Sequence, residues 1–454
     1  MQIGIVGAGL MGMALAHKLT ADGHRVTVIE HSDQPGGLAT WHDFGEFYWD
    51  RFYHVILPSD RNLIGLINDL DMSSDLQWQR TYTGFFVDDK LHSISSNLEF
   101  LKFPLLSFIS KIRLGFTMLY ASRINSWQKL ETLSCEQWLR RISGDENVEK
   151  LWKPLLLAKL GPSYKRVSAV FIWSYIKRMF SARDKSASAE QLGHVKGGYQ
   201  SIFAALQNSM ESSGGTLKLN EPVKRIQPAA DGGILVQTDK QSYEFDHVVC
   251  TSPVSVLKQI VSTDMLRIGN GHKNLKSQIN EVSTEQPEEV EYLGVVCVVI
   301  VSKKPLTHYY VVNIADETIP FTGVIGMSNV VKPENTAGYH VTFLPRYMLS
   351  TDDELQKPDT YFEEQFLGGI AKMFPEFDMQ GIVSVHVNRA IKVQPLQVLN
   401  YSKLVPTAQT HHERLHVLNT SQFVNATLNN NEVIGAVNAF HHSFSSNLLS
   451  NKQE

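Results

Sequence analysis

The chain opens on an apolar run, Ile3 to Val6, that predicts a buried strand, and the pattern then changes period at once. Gly7-Ala8-Gly9-Leu10-Met11-Gly12 forms a glycine turn, an alanine-rich helix follows, and a second strand over Arg25 to Ile29 ends on an acid, Glu30. Phe103 to Ile124 is strongly apolar but broken by Lys111, Arg113 and Arg123, which predicts a helix with one large buried face. With further helical stretches at Cys135 to Ile142 and Val167 to Phe180, residues from about 90 to 190 read as a mostly helical insertion. A glycine pair, Gly197-Gly198, then opens a helix. Short strands follow at Thr216 to Leu219, Val223 to Ile226, Gly233 to Thr238 and Ser242 to Phe245, and FDHVVCTSP (Phe245 to Pro253) reads as a buried strand and turn. Asn270 to Glu291 is polar and without period, the pattern of a mobile surface loop. Tyr292 to Val301, Tyr309 to Ile314 and Tyr339 to Leu344 predict an antiparallel sheet with alternating or fully buried faces. A helix over Asp359 to Met373 and a strand over Ile382 to Asn388 complete that layer, and the last fifty residues return to a strand, Leu415 to Leu418, and a final helix from about Asn431.

Strand, Gly7-x-Gly9-x-x-Gly12, helix, strand and acid in this order are the dinucleotide-binding fingerprint in its proper context. Gly7 allows a tight turn, Gly9 lets a pyrophosphate approach the backbone, and Gly12 lets helix and strand pack closely. The helix N-terminus, with unpaired N–H groups and the positive end of its dipole, faces the phosphates. Glu30, eighteen residues past Gly12, would accept hydrogen bonds from a ribose diol, and a 2′-phosphate would meet like charge there. Read only as far as Glu30, the pattern admits both FAD and NAD, since it also resembles the opening of NAD-dependent hydroxyacid dehydrogenases.

At 454 residues, with 43% hydrophobic and 19% charged side chains, the chain is expected to form two globular domains. A formal charge of −4 gives no electrostatic reason to expect nucleic acid. Cys135, Cys250 and Cys297 are too widely spaced for a zinc pattern or a disulfide framework, so a reducing, cytoplasmic setting is expected. The apolar start is already used as a strand, so no signal peptide is expected, and the sequons at Asn419 and Asn425 read as accidental. No uninterrupted apolar stretch is long enough for a spanning helix.

After a spacer of five residues, Glu30 is followed by Gly36-Gly37, a pair that a hydroxyacid dehydrogenase does not require. An acid, a short spacer and a glycine pair form the second half of the FAD fingerprint in the flavin amine oxidase superfamily, which includes protoporphyrinogen oxidase, phytoene desaturase and UDP-galactopyranose mutase, and the chain resembles that superfamily. Lys196-Gly197-Gly198 resembles its second glycine pair, Val223 to Ile226 the strand whose backbone meets the adenine, and Asp246 to Val249 with Pro253 the strand leading back to the cofactor. Leu418-Asn419-Thr420 and the later helix, around Val433, resemble its C-terminal flavin-contacting unit. WDRFYHVILPSD (Trp49 to Asp60) and WKPLLLAKLG (Trp152 to Gly161) are similar to segments of bacterial protoporphyrinogen oxidase-like proteins. The resemblance implies an α/β fold with a Rossmann-like FAD-binding domain from residues 1–90, 191–255 and 405–454. It also implies a discontinuous substrate domain of antiparallel sheet plus helices from 91–190 and 256–404. The implied activity is oxidation or desaturation of a small or lipidic organic molecule by hydride transfer to noncovalent FAD. Rival readings are a redox-neutral UDP-sugar mutase, an NAD-dependent dehydrogenase and a flavin-binding subunit without activity. Two departures stand out: Leu38 occupies a place where many relatives have arginine or lysine, and Asn419-Thr420 replaces the usual glycine and acid.

The resemblance also singles out His54, because the mutase branch carries a histidine close to the flavin in the corresponding loop; the alternative is a loop histidine satisfied by backbone groups. Asp50 would orient that loop or stand exposed, and Arg51 would meet an anionic substrate or lie on the surface. The pairs His411-His412 and His441-His442 lack a further ligand at metal-binding spacing, so no metal is expected. Trp152, Trp173 and Tyr175 are expected in the core or a pocket wall. The apolar helix at 103–124 is expected to pack within a helix bundle, with peripheral membrane or lipidic-substrate contact as its alternative.

Overall fold

The strand Gln2–Val6 sits at the centre of a five-stranded sheet, flanked by Arg25–Ile29 with Thr216–Lys218 beyond it, and by His247–Cys250 with Leu415–Val417 beyond that. All four pairings are parallel, as in sheets whose strands alternate with helices. This computed structural model describes residues 1–181, 190–261, 265, 289–408 and 410–450; of the polar stretch read as a surface loop, 270–288 lie outside them. Side chains of the central strand alternate between two cores. Ile3 and Ile5 face the helices Leu10–Ala21, Gly198–Ser212 and Asn430–Ser450 through Leu15, Phe203 and Val437. Val6 faces a three-stranded antiparallel layer, Val223–Pro228, Ile234–Thr238 and Ser242–Phe245, through Ile226, Val236 and Phe245.

The second sheet has seven strands, built around Tyr292–Ser302, whose eleven residues are all buried. Its continuous apolar run is two half-patterns. Val296, Val298 and Ile300 point to the helix Asp359–Met373, and Val295, Cys297, Val299 and Val301 point to Phe44, Phe47 and Trp49 of the hairpin Trp41–Asp43 and Tyr48–Asp50. The expected antiparallel pattern holds along most of this sheet, with His340–Leu349 and Ile382–Pro395 on either side of Tyr292–Ser302, which lies second from one edge. One pair is parallel, Val311–Ile314 with Thr83–Val87. That last strand and its neighbour Lys90–Ser93 come from the N-terminal part of the chain, so the segment before residue 90 contributes to both sheets.

The helical insertion is present, with a correction to its first long helix. That helix spans Phe108–Arg123, later than the apolar pattern begins, because Pro104 interrupts the preceding turn and the Ser107 hydroxyl caps the new one by accepting the Ser110 N–H at 3.3 Å. Its buried side carries Ser110, Lys111, Leu114, Thr117 and Ala121. Its bulky residues, Phe108, Ile109, Ile112, Phe116 and Tyr120, are 46–77% exposed, so the expectation of a large buried apolar face is overturned. Small side chains let this helix lie close to its neighbours, and the bulky side chains were left outside.

Two ion pairs fasten the insertion. Arg166 grips Glu291, at 3.1 and 2.7 Å, at the entrance to the buried strand. Arg178, on the helix Ala169–Ser181, holds Asp60 at 2.7 and 3.0 Å, and Asp60 also accepts the Leu57 N–H. The Asp60 side chain is 2% exposed. Removing the guanidinium in Arg178→Met leaves a buried carboxylate without its counter-charge, and the expected loss is roughly 3 kcal/mol of unfolding free energy in urea titrations. An unchanged midpoint would refute the fastening role.

Candidate functional site

The strand ends of the parallel sheet converge on two glycine turns that touch. Gly7 donates its N–H to Ile29 at 2.9 Å, and Gly36 donates to the Ala8 carbonyl at 2.9 Å, so that Gly9 and Gly36 form an isolated parallel bridge. Gly36 adopts a φ of +133°, and a Cβ there would stand 2.6 Å from Thr40 Cα. Gly12 is required for packing, since a Cβ there would lie 2.0 Å from the Gly7 carbonyl oxygen. Gly9 is different: its φ of −67° suits any residue, and a Cβ there would meet only Gly37 Cα at 4.0 Å. The fold does not need glycine at position 9, whereas a group approaching the backbone does. No side chain caps the helix Leu10–Ala21, so the N–H groups of its first turn, over Leu10, Met11 and Gly12, stand ready for an acceptor.

Glu30 closes one side of this cradle. Its Oε2 accepts the Ala8 N–H at 2.8 Å and its Oε1 the Ser32 N–H at 3.0 Å, so the carboxylate is held at the tip of its strand. Its own backbone carbonyl accepts the Glu221 N–H at 2.8 Å, which brings the turn before Val223 against the same tip. Gly37, Leu38 and Ala39 form a single 3-10 turn, and Leu38 is half-buried, adding no charge. Asn419 is buried beside the strand ends, with Nδ2 donating to the Ser252 carbonyl at 3.1 Å and Oδ1 accepting the Ser421 N–H at 3.0 Å. Val433 is buried in the same core as Leu10 and Met11, in the first turn of the helix Asn430–Ser450. Asn431 ties that turn to the helix Arg61–Asp69 by accepting the Asn62 N–H at 2.9 Å.

His54 lies elsewhere, at a small cavity lined by Trp49, Asp50, His194, Gly198 and Tyr199. Its Nδ1 is 3.7 Å from Asp50 Oδ2, beyond hydrogen-bond range, and its ring stacks obliquely on Tyr199. Asp50 is 2% exposed and accepts the Tyr199 N–H at 2.8 Å, so it caps the helix Gly198–Ser212. The glycine pair has a packing reason here: a Cβ at Gly198 would lie 2.7 Å from Asp50 Oδ1. Asp50 is therefore not an exposed acid.

Between this loop and the seven-stranded sheet lies a set of contacts that sequence reasoning missed. The hydroxyls of Tyr53 and Tyr347 meet at 2.7 Å. Burial pushes the Tyr53 phenol well above its ordinary range, with the Tyr347 hydroxyl adding to the shift. Lys159 Nζ stands 3.5 Å above the Tyr347 ring. Arg51 is half-buried, its Nε donating to Asn388 Oδ1 at 3.2 Å while Asn388 Nδ2 donates back to the Arg51 carbonyl at 3.1 Å. His42 and His386 meet at 3.3 Å on the same seam. No local signal reveals these pairs, because 294 residues separate the two tyrosines and 337 separate Arg51 from Asn388.

The remaining sequence candidates scatter. His441 pairs with Asp22 at 2.8 Å near the surface, far in sequence from His411 and His412, and among the described residues no group of three or more His, Cys, Asp or Glu could hold a metal. Trp152 and Trp173 are core residues whose indole N–H groups donate to Ser143 Oγ and to the Ala121 carbonyl, whereas Tyr175 is 50% exposed.

Comparison with known proteins agrees with the resemblance read from the sequence. The profile of the family described as flavin containing amine oxidoreductase matches residues 10–409. The chain is similar to a 15-cis-phytoene desaturase of Synechococcus elongatus, 24% identical over 287 residues, which cover 58% of this chain and 60% of the relative. It is likewise similar to a coproporphyrinogen III oxidase of Staphylococcus aureus, 24% identical, with 56% of this chain and 61% of the relative covered. The alignments thus span about three-fifths of those relatives' own length. An oxidoreductase structure from Methanosarcina mazei superposes with a TM-score of 0.72 at 18% identity, covering 97% of this chain and all of the other, which establishes a shared fold.

One buried and one half-buried histidine set a pH limit on this architecture. His194 is 3% exposed with neither ring nitrogen hydrogen-bonded, and burial, with Lys332 adding, lowers its pKa from 6.5 to about 4. Burial and then the neighbouring His247 lower His416 likewise to about 4. Both are neutral in the fold and take up protons on unfolding. Their contribution is complete above pH 6.5 and is lost as the pH falls through 4, by on the order of 3 kcal/mol each. Urea midpoints should therefore fall across that window and fall less in His194→Leu; a wild-type midpoint that stays level would contradict the assignment.

Proposed function

The chain belongs to the flavin containing amine oxidoreductase family, and on that premise we propose that it is an FAD-dependent oxidoreductase that oxidises or desaturates a small or lipidic organic substrate. The observation carrying this reading is the double glycine cradle, whose Gly9 is spared a side chain that the protein itself could accommodate. The cradle fits a dinucleotide. The first-turn N–H groups of Leu10, Met11 and Gly12 would receive the diphosphate, Glu30 the adenosine ribose, and the backbone near Val223 the adenine. Gly36, Gly37, Leu38, Asn419 and the helix start near Val433 would follow the cofactor towards its ring. Family membership removes the NAD-dependent dehydrogenase from the rival readings.

Bound in this way, FAD would supply the acceptor for a hydride withdrawn from a substrate carbon. The chain's residues have other work. Phe44, Phe47, Trp49, Cys297 and Val299 form an apolar wall that excludes water from the seam between hairpin and sheet. Tyr53 stays protonated at neutral pH because burial raises its pKa, so it orients substrate by hydrogen bonding and does not act as the base. Arg51, fixed by Asn388, places a permanent positive charge at the same seam. His54, held over Tyr199 beside the buried Asp50, is the side chain we assign to the flavin side of the reaction. The aromatic lining supports an apolar substrate.

The absorption spectrum of the purified protein, with mass analysis of the released cofactor, tests the reading. A flavin band and released FAD are expected; no flavin band after saturation with FAD would sink it. Activity that needs reduced flavin without net substrate oxidation would favour the UDP-sugar mutase instead. Two variants separate fold from cradle. Gly9→Ala should change unfolding free energy by no more than about 1 kcal/mol, the cost of an aliphatic residue at a helix N-cap, yet weaken FAD binding by roughly tenfold or more, about 1.4 kcal/mol. Gly12→Val should cost about 2 kcal/mol of stability whether or not cofactor is present. Equal behaviour of the two variants would contradict the division of roles.

A further inference from the structure

Of the thirteen large apolar side chains that stand exposed among the described residues, seven fall between Leu98 and Tyr120. Such a concentration on one short segment marks an interaction surface. At 100° per residue, Phe108, Ile112, Phe116 and Tyr120 form an i, i+4 stripe along the helix Phe108–Arg123, with Ile109 beside it. The stripe lies opposite Ser110, Leu114, Thr117 and Ala121, which face the protein. Leu98 and Leu101, on the preceding short helix Asn97–Lys102, extend the surface at 63% and 49% exposure.

Charge decides what covers this surface. From Leu98 to Leu130 the chain contains five Lys or Arg and a single acid, Glu99, whose carboxylate is taken up by the Ser93 hydroxyl at 2.7 Å and the Ser95 N–H at 2.9 Å, in a protein whose formal charge is −4. Lys111 is turned inward, its Nζ donating to the Leu101 carbonyl at 2.7 Å. Lys102, Arg123 and Lys129 are exposed on the same segment, whereas the Arg113 guanidinium donates to the carbonyls of Ile142 and Arg141 at 3.2 and 3.1 Å. Glu146 is engaged by Ser107 and Ser110, on the inward side of the helix. A second copy of this chain docking through the same face would bring cations against cations, with the segment's one acid, Glu99, already engaged by Ser93 and Ser95. A surface of anionic phospholipid satisfies both halves of the pattern: apolar side chains enter the acyl boundary while the long basic side chains reach the headgroups. No described helix is long and apolar enough to cross a membrane.

We propose that the helix Phe108–Arg123 lies flat on an anionic lipid bilayer and docks the protein there through Phe108, Ile109, Ile112, Phe116 and Tyr120. Co-sedimentation of the full chain with phosphatidylcholine vesicles containing about 30% phosphatidylserine tests this, with pure phosphatidylcholine vesicles as the second arm. Binding to the anionic vesicles is expected, weaker binding to the neutral ones, and loss of the preference in about 1 M salt, where the screening length shrinks to about 3 Å. The triple variant I109S/I112S/F116S replaces only exposed side chains and should bind roughly tenfold or more weakly. An apparent affinity unchanged by the triple substitution would overturn the proposal, as would no binding to either vesicle. Sedimentation velocity covers the remaining occupant: a dimer that the triple variant dissolves, without vesicle binding, would assign the face to a second copy and overturn the bilayer.

Discussion

Two turns of bare backbone meet at the heart of this protein, and much of the rest is arranged around their contact. Gly36 can donate to the Ala8 carbonyl only because no side chain stands between the turns: a Cβ on Gly37 would already approach Gly9 Cα to 3.2 Å. From that contact the chain runs directly into the hairpin, where Arg51 N–H returns to the Thr40 carbonyl at 2.9 Å. The hairpin's Asp50 caps the helix Gly198–Ser212, and its Trp49 enters the core beneath the seven-stranded sheet. A nucleotide cradle, a helix cap and a sheet wall are thereby held in one frame.

The sheet wall has an electrical character set first by burial. Cys297 on the strand Tyr292–Ser302 has its thiol pushed up by burial, as do the phenols of Tyr53 and Tyr310 near it. All three are neutral at ordinary pH. Fixed positive charge reaches the seam from Arg51 and Lys159, at its margins. A region so lined strengthens the field of any charge placed against it, because little around it can reorganise in response.

The cradle was legible in the sequence because its residues, from Gly7 to Gly37, act through local spacing: strand, turn and helix periods fix their geometry without help from distant partners. Long periodic elements were legible for the same reason, and the helix Asp359–Met373 begins and ends where its pattern does. Asp50 was not, since its partner Tyr199 is 149 residues away and an acid in a loop carries no sign of burial. Gly197-Gly198 resembles the family's second glycine pair in sequence, while the observed neighbour of Gly198 is a carboxylate of the protein itself. The helix at 108–123 misled for a different reason. Apolar period locates a face and cannot say whether that face is covered, and here the small residues at 110, 117 and 121 marked the packed side more truly than the large ones did.

The order of strands in the parallel sheet has a consequence for how the protein comes into being. Gln2–Val6 pairs on one side with His247–Cys250, and that strand in turn waits for Leu415–Val417. On the ribosome, the N-terminal strand, helix and strand therefore emerge long before the partners that complete their sheet, and the second sheet has the same delay between Thr83–Val87 and Val311–Ile314. Neither sheet can close before its late strands have been made, so each carries an open apolar edge until then, and premature pairing at those edges is the characteristic hazard of such a strand order.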